Sequence, residues 1–441
     1  MDVLRNLSVQ IPPTDKPRVV IIGGGFAGVQ LARNLKNKPF QVVMLDRNNY
    51  HGFQPLLYQV ATAGLEPDSI AGPLRQLFAD QKDFHFRMAR VRRIFPKEKR
   101  IETLVGDLNY DYLVIATGSR TNFFNNEDFS TQAFPLKQVP QALDLRSNLL
   151  QNFEKSVMSD DPEMQKRLMN VVIVGGGPTG VEVAGALAEL RRHILPEDYP
   201  EIDFGKMEIH LIEGQPRLLN GMSDKAGKWA LEYLERFDVD VMLGKFVQKF
   251  DGQFVTLNDG TVLETNTLVW AAGVKGNLIE GLPDSSVVNS RIKVDLYNRV
   301  HGFDDIFAVG DIAHMVEGEY KNGHPMLAPV AMQQGRLLAQ NLVNMSKNKP
   351  MKPFHYENRG AMATIGRNKA VVDLPGNITF GGLFAWMFWM FIHIVSIIGF
   401  RNKLVIFSNW AWNYFTYDRG TRLIIRLFLP KGKEREKFGT Y

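Results

Sequence analysis

No cysteine occurs anywhere in the 441 residues. That absence removes disulfide scaffolds, thiolate zinc sites, iron–sulfur clusters, thiol nucleophiles and dithiol redox pairs together. Histidine is scarce, with nine copies, and neither His51 nor His393 has a second ligand type at metal-binding spacing. No Asp-rich calcium loop is present either, so no metal site is expected. The N-terminal stretch lacks an apolar core of signal-peptide length and carries Asp2 and Asp15, so a cytoplasmic body is the default expectation. Excess charge is missing from most of the chain. The formal net charge is +5, yet residues 401–441 alone carry nine Lys/Arg against three Asp/Glu. The first 400 residues are therefore close to neutral. That argues against a nucleic-acid binder and leaves a basic tail suited to an anionic surface.

What is present is ordinary globular material, 45% hydrophobic and 22% charged, enough for two to three domains of about 150 residues each. The first pattern runs from Arg18 to Arg33. An apolar run, Val19 to Ile22, reads as a buried strand, and Gly23, Gly25 and Gly28 fit G-x-G-x-x-G before a helix. A second strand, Gln41 to Leu45, ends in Asp46, placed to accept from a ribose hydroxyl. The first glycine permits a tight turn, the second lets a pyrophosphate approach the backbone, and the third lets helix and strand pack closely. The helix N-terminus then receives the pyrophosphate.

The pattern repeats from Asn170. Gly175, Gly177 and Gly180 form a second fingerprint, Pro178 suits the first helical position, and the strand Lys206–Ile212 ends in Glu213. The gap from Gly180 to Glu213 is long, so residues 191–205 read as an insertion. An acid at that strand end accepts from a 2′-OH and repels a 2′-phosphate, which favours NADH over NADPH. Two fingerprints imply two dinucleotides, most economically one tightly held flavin, FAD, and one exchangeable nicotinamide, NADH. The alternative is a duplicated unit with one dead site. Three further strand ends stop at small-residue turns: Ala116-Thr117-Gly118, Ala271-Ala272-Gly273 and Gly310-Asp311.

In that order these motifs resemble the two-dinucleotide-binding-domain flavoproteins with a glutathione-reductase type of FAD domain. Closer in, Asn48–Thr62, Gly180–Glu189, Met362–Asn368 and the segments Ala385-Trp386, Phe400–Lys403 and Asn409–Trp412 resemble type II NADH dehydrogenases. The resemblance implies an α/β fold of two Rossmann-like domains followed by C-terminal amphipathic helices. Its expected boundaries are an FAD domain at 1–120 and 301–375, a connecting segment at 121–164, an NADH domain at 165–300 and a membrane-association region at 376–441. It implies a monotopic, single-subunit NADH:quinone oxidoreductase that pumps no protons. The lack of cysteine agrees, because thiol-dependent relatives on this scaffold are impossible here.

The implied FAD residues are Gly23, Gly25, Phe26, Ala27, Gly28, Asp46, Arg47, Ala116, Thr117, Gly118, Gly310, Asp311, Gln333 and Gln334. Those for NADH are Gly175, Gly177, Pro178, Thr179, Gly180, Glu182, Glu213, Ala272 and Gly273. The family's glutamine motif before a helix aligns with Leu327–Gly335. Gln333 matches its second glutamine and Pro329 stands at the first. Gln333 is thus a candidate quinone-lining residue, or simply a polar group at a helix start. Glu182 is either a dipole complement in a first helical turn or a proton relay whose pKa is raised by a nearby pyrophosphate and by burial. The implied partners are NADH, a membrane quinone (menaquinone or ubiquinone) and a lipid surface, with a homodimer at the cytoplasmic face of a bacterial inner membrane. The rival expectations are a reductase of a soluble acceptor and a nucleotide-sensing flavoprotein.

Residues 381–400 are apolar except for His393 and Ser396. Twenty helical residues reach about 30 Å, enough to cross a bilayer core. Trp386, Trp389, Trp410 and Trp412 are four of the six tryptophans, and indoles favour membrane interfaces. Arg401, Lys403, Arg422 and Arg426 follow, the last two spaced for one helical face. A spanning helix, a buried dimer helix and an interfacial helix pair compete. The tryptophans and the basic tail favour the interfacial pair.

Overall fold

The computed structural model describes residues 7–416 and 420–428. The elements that carry the site begin with β1 (Arg18–Ile22), α1 (Phe26–Asn34), β2 (Gln41–Asp46) and α2 (Leu57–Ala61). Next come β3 (Phe84–Met88), β4 (Tyr112–Ile115), β5 (Phe134–Pro135) and β6 (Val171–Val174). The middle of the chain supplies α3 (Pro178–His193), β7 (Ile209–Glu213), β8 (Asp240–Leu243), β9 (Thr267–Trp270), β10 (Ile306–Ala308) and α4 (Ala328–Met345). The last third forms β11 (Ala361–Gly366), β12 (Lys369–Leu374), β13 (Ile378–Gly382), α5 (Leu383–Ser396) and α6 (Phe400–Thr416).

The chain divides into two compact units. One takes the chain up to Gly52, Ala71–Arg120 and Val274–Asn358; the other takes Phe53–Ile70, Thr121–Gly273 and everything from Arg359 on. Each is built on a five-stranded parallel sheet. The first has the order β10-β4-β1-β2-β3 and the second β5-β9-β6-β7-β8. In both, the fingerprint strand is central and the strand bearing the terminal acid is its neighbour. Central parallel strands are covered on both faces and so read as unbroken aliphatic runs. Val19, Val20 and Ile21 are fully buried, as are Val171, Val172 and Ile173, each worth about 1.5–3 kcal/mol of transfer free energy.

The two compact units differ from the expected boundaries at three places. Residues 274–300 belong to the first unit, because the strand Arg291–Val294 packs into that unit's core with Ile306 and Ile312. The segment 121–164 is more than a connector: β5 is the edge strand of the second sheet, pairing with β9. The C-terminal region from Arg359 clusters with the second unit, where β11 packs on α3. That contact is close enough that a Cβ on Gly185 of α3 would lie 1.8 Å from the Ile365 carbonyl oxygen. The supposed insertion at 191–205 also shrinks, since its first three residues complete α3 and Leu195–Asp198 forms one more helical turn.

Candidate functional site

The two glycine fingerprints fold alike, position by position. Gly23 and Gly175 adopt φ of 115° and 110°, left-handed values that a side chain resists. A Cβ at Gly28 would strike the Gly23 carbonyl oxygen at 2.0 Å, and one at Gly180 the Gly175 oxygen at 1.9 Å. By contrast, a Cβ at Gly25 or Gly177 would meet nothing within 4 Å. The middle glycines therefore leave open cradles at the N-termini of α1 and α3. These are the shapes into which a pyrophosphate fits against free N–H groups. Phe26 and Ala27 open α1, and Pro178 and Thr179 open α3.

The terminal acids are held in matching ways. Asp46 accepts from the Gly24 N–H at 2.7 Å and from the Asn48 N–H at 2.7 Å. Glu213 accepts from the Gly176 N–H at 2.5 Å and from the Gln215 N–H at 2.7 Å. Each carboxylate is thus aimed over its own glycine turn. Burial pushes the Asp46 pKa up, and the backbone donors oppose it. Arg47, beside it, is exposed. With Glu213 as the expected partner of a ribose 2′-OH, Glu213→Gln should raise kcat/KM for NADPH relative to NADH by about tenfold, measured by steady-state rates with both nucleotides.

At the exit of β4, Gly118 has φ of 65°, and Thr117 donates its hydroxyl to the Asn277 carbonyl at 2.8 Å. The Ala116 carbonyl oxygen fills the space that a Gly23 side chain would need. Beyond β10, Ser119 donates to the Asp311 carboxylate. Gln334, buried on α4, accepts from the Gly310 N–H at 2.7 Å and so pins the Gly310–Asp311 turn. Gln333 points elsewhere. Its amide donates to the Glu357 carbonyl at 2.9 Å and accepts from the Glu357 N–H at 3.0 Å. Both ends of that side chain are committed to backbone, as expected of a structural polar group. At the exit of β9, Ala272 is half-buried and Gly273 has φ of 131°.

Glu182 lies in the second turn of α3, not the first. It is buried at 8% exposure, and burial raises its pKa well above the ordinary 4.5, against a backbone N–H from Thr364. Glu182 lines a cavity of about 110 Å³. That is somewhat less than the roughly 150 Å³ of an apolar cavity that holds one benzene ring. α2 contributes Tyr58 and Gln59, α5 contributes Trp386 and Trp389, and α6 contributes Trp410 and Tyr414. Arg367 completes the wall. Its guanidinium donates to the Tyr414 carbonyl at 2.8 Å and to that of Asn413, at the C-terminal end of α6, where a cation complements the helix dipole. Trp410 donates its indole N–H to Gln59 at 2.8 Å.

These aromatics revise the interfacial reading of the tryptophans. Trp389 is 2% exposed and Trp410 half-buried; of the four, only Trp412 is largely exposed. His393 stacks on Trp389 at 4.1 Å and bonds its carbonyl through Nδ1 at 2.8 Å. Burial lowers its pKa to about 4, so the ring stays neutral. His51 bonds the Gly24 carbonyl at 2.9 Å. No metal-ligand cluster occurs among the described residues.

The apolar run at 381–400 does not form a single helix. Gly381 and Gly382 close β13, and α5 has 14 residues, about 21 Å. No described helix is long and apolar enough to cross a membrane. Both terminal helices are nonetheless inverted for water. α5 buries Ala385, Trp389 and His393 and exposes Phe384, Met387, Phe391 and Val395; α6 buries Asn402 and Ile406 and exposes Phe400, Leu404, Phe407 and Phe415. Arg422 and Arg426 do not share a helical face, because residues 420–428 are irregular. Arg422 pairs with Asp198 and Arg426 with Asp144. Lys403 caps α5 through the Val395 carbonyl at 2.7 Å, and Arg401 sits 3.9 Å from Asp68. Arg419, Lys431, Lys433, Arg435 and Lys437 lie outside the described residues.

Two parallel sheets, each with an open glycine cradle and an acid at the neighbouring strand end, make a duplicated dinucleotide-binding fold. A family model described as pyridine nucleotide-disulphide oxidoreductase matches residues 17–335, and one described as the NDH2 C-terminal domain matches residues 358–417. The chain is 33% identical to the type II NADH:quinone oxidoreductase Ndh of Mycobacterium tuberculosis, over 94% of this chain and 92% of that protein. It is 29% identical to the type II NADH:quinone oxidoreductase of Haemophilus influenzae, over 81% of this chain and 86% of that protein. In fold it matches the structure of NDH2 from Plasmodium falciparum in complex with NADH, with a TM-score of 0.86, 21% identity, and coverage of 93% of this chain and 100% of that one. The chain belongs to the type II NADH:quinone oxidoreductase family. Its cofactors are FAD and NADH, and the open cradles at Gly25 and Gly177 fit both.

Proposed function

We propose that this chain binds FAD at the first fingerprint and NADH at the second, and reduces a quinone in the cavity beside Glu182. The carrying observation is that cavity: a buried carboxyl whose pKa burial raises, set among five aromatic side chains and one guanidinium. Bound FAD supplies the two-electron step between hydride donor and quinone. The protein's own part is positional. Trp386, Trp389 and Trp410 offer flat apolar faces to a ring. Arg367 favours negative charge growing on a carbonyl oxygen. Glu182, neutral because it is buried, is placed to give a proton to that oxygen. The direct test is stopped-flow absorbance of detergent-purified enzyme. NADH should bleach the bound-flavin band, and a short-chain menaquinone or ubiquinone should restore it. Bleaching without recovery would redirect the electrons to a different acceptor.

The wider reading is a homodimer resting on the cytoplasmic face of a bacterial inner membrane. Its support is the inverted exposure of α5 and α6, since large exposed apolar stripes mark membrane or protein contacts. These helices also wall the cavity, so the tail is not a detachable anchor. Deleting residues 381–441 would remove Trp389 and Trp410 with it. A milder change separates the roles. Replacing Phe384, Phe391, Phe400 and Phe407 by serine should cut liposome binding by at least tenfold in a flotation assay, each buried aromatic being worth about 1.5–3 kcal/mol, while NADH-to-soluble-dye activity persists. Unchanged flotation would end the membrane reading.

A further inference from the structure

The turn after Thr121 stores backbone strain that the fold does not need. Phe124 and Asn125 both adopt left-handed conformations, with φ of 51° and 61°. Asparagine tolerates that region, but a bulky residue there is a genuine outlier and calls for a cause. Three hydrogen bonds impose it. The Asn122 N–H donates to the Gly273 carbonyl at 3.1 Å, the Asn122 carbonyl accepts from the Trp270 indole at 2.8 Å, and the Asn122 side chain accepts from the Phe124 N–H at 3.0 Å. The turn is thereby bolted to the exit of β9.

The strain does not serve the core. Phe129 stacks on Trp270 at 4.6 Å and Phe123 lies 5.9 Å from the same ring, so the apolar packing there is already supplied. Phe124 meets that ring only edge-on, at 6.4 Å, and stands 63% exposed. Its ring tip comes within 3.7 Å of the position a Gly273 Cβ would take. Most of an aromatic ring is thus left in water beside the exit of β9, open to a further contact.

The topology says which part of the ligand that is. In the second sheet β6 carries the glycine cradle, β7 lies on one side and β9 on the other. Glu213 at the end of β7 receives the adenosine ribose. With the pyrophosphate over Gly177, the remaining half of the dinucleotide runs toward the end of β9, where a parallel sheet opens its crevice. We propose that Phe124 is a nicotinamide-contacting residue of the NADH site, an aromatic wall against the nicotinamide-ribose half. It excludes water there and fixes the ring before hydride leaves it.

The test separates the two halves of the ligand and the strain from the contact. Full-length, FAD-loaded Phe124→Ala and Phe124→Gly are titrated by calorimetry with NAD⁺ and with ADP-ribose, which lacks the nicotinamide. In both variants the Kd for NAD⁺ and the KM for NADH should rise about tenfold, while the Kd for ADP-ribose stays within about twofold. Phe124→Tyr should bind all three as the parent does. Phe124→Gly should melt at or above the parent temperature, because glycine relieves the left-handed φ. Equal weakening of NAD⁺ and ADP-ribose, no weakening of either, or a large drop in melting temperature for Phe124→Gly would each overturn the proposal.

Discussion

Gly25→Val should give a folded protein that purifies without flavin, whereas Gly177→Val should remain yellow and lose more than a hundredfold in kcat/KM for NADH. The reason is where each side chain goes. At both positions a Cβ meets no protein atom within 4 Å, so neither substitution disturbs folding contacts. Each fills a cradle in which a pyrophosphate would lie against helix N–H groups. Losing one or two charge-assisted hydrogen bonds costs about 3 kcal/mol, more than a hundredfold in affinity. Flavin absorbance of the purified variants and steady-state rates across NADH concentrations read the two effects separately. Gly23→Ala and Gly175→Ala make poor substitutes for this experiment. A Cβ at Gly23 would sit 2.2 Å from the Ala116 carbonyl oxygen, one at Gly175 would sit 2.7 Å from the Ala271 carbonyl, and both residues have positive φ. Those changes damage the sheet itself. If Gly25→Val kept its flavin and lost NADH instead, the two cradles would have to exchange ligands.

The contrast between legible and illegible parts of the site follows from range. Fingerprint, acid and strand end are local signals. Each is a strand exit followed by a helix start, and Asp46 and Glu213 bond the glycine turns beside which the sequence places them. The duplicated strand order then follows from two copies of one βαβ logic. The cavity has no local signature. Its wall comes from α2, α3, the β11 turn, α5 and α6, segments up to about 350 residues apart, as in the Trp410–Gln59 bond. Arg367 and Thr364 were visible only as parts of a family-like segment, and the clustering of tryptophans sent Trp389 and Trp410 to the membrane interface. Likewise Arg422 and Arg426 read as lipid-facing cations until Asp198 and Asp144 supplied partners from distant turns. The partner of Gln333 was hidden for the same reason, since the backbone of Glu357 that bonds its amide lies 24 residues away.

Glu182→Gln should slow quinone reduction by about 100-fold while leaving the rate at which NADH bleaches the flavin unchanged. Glutamine keeps the shape and the acceptor for the Thr364 N–H but carries no transferable proton. The pH dependence gives an independent reading. Burial raises the Glu182 pKa well above 4.5 in the folded protein, so the native state holds this proton more tightly than the unfolded chain. Below pH 4.5 both states are protonated and the group contributes no pH dependence. As pH rises above that value the unfolded chain releases the proton first, and stability falls until the raised native pKa is passed. The variant lacks this loss. Its melting temperature should therefore match the parent near pH 4 and exceed it at pH 8. Quinone reduction by the parent should also decline as pH climbs through the raised pKa, a limb the variant lacks. Two outcomes would point to different failures. Normal quinone turnover in Glu182→Gln would put the proton path elsewhere, through water or Tyr58 at the same cavity. A slow variant with no gain in stability at pH 8 would mean that Glu182 is solvated when quinone binds, so that the ligand, and not burial in the resting fold, sets its protonation.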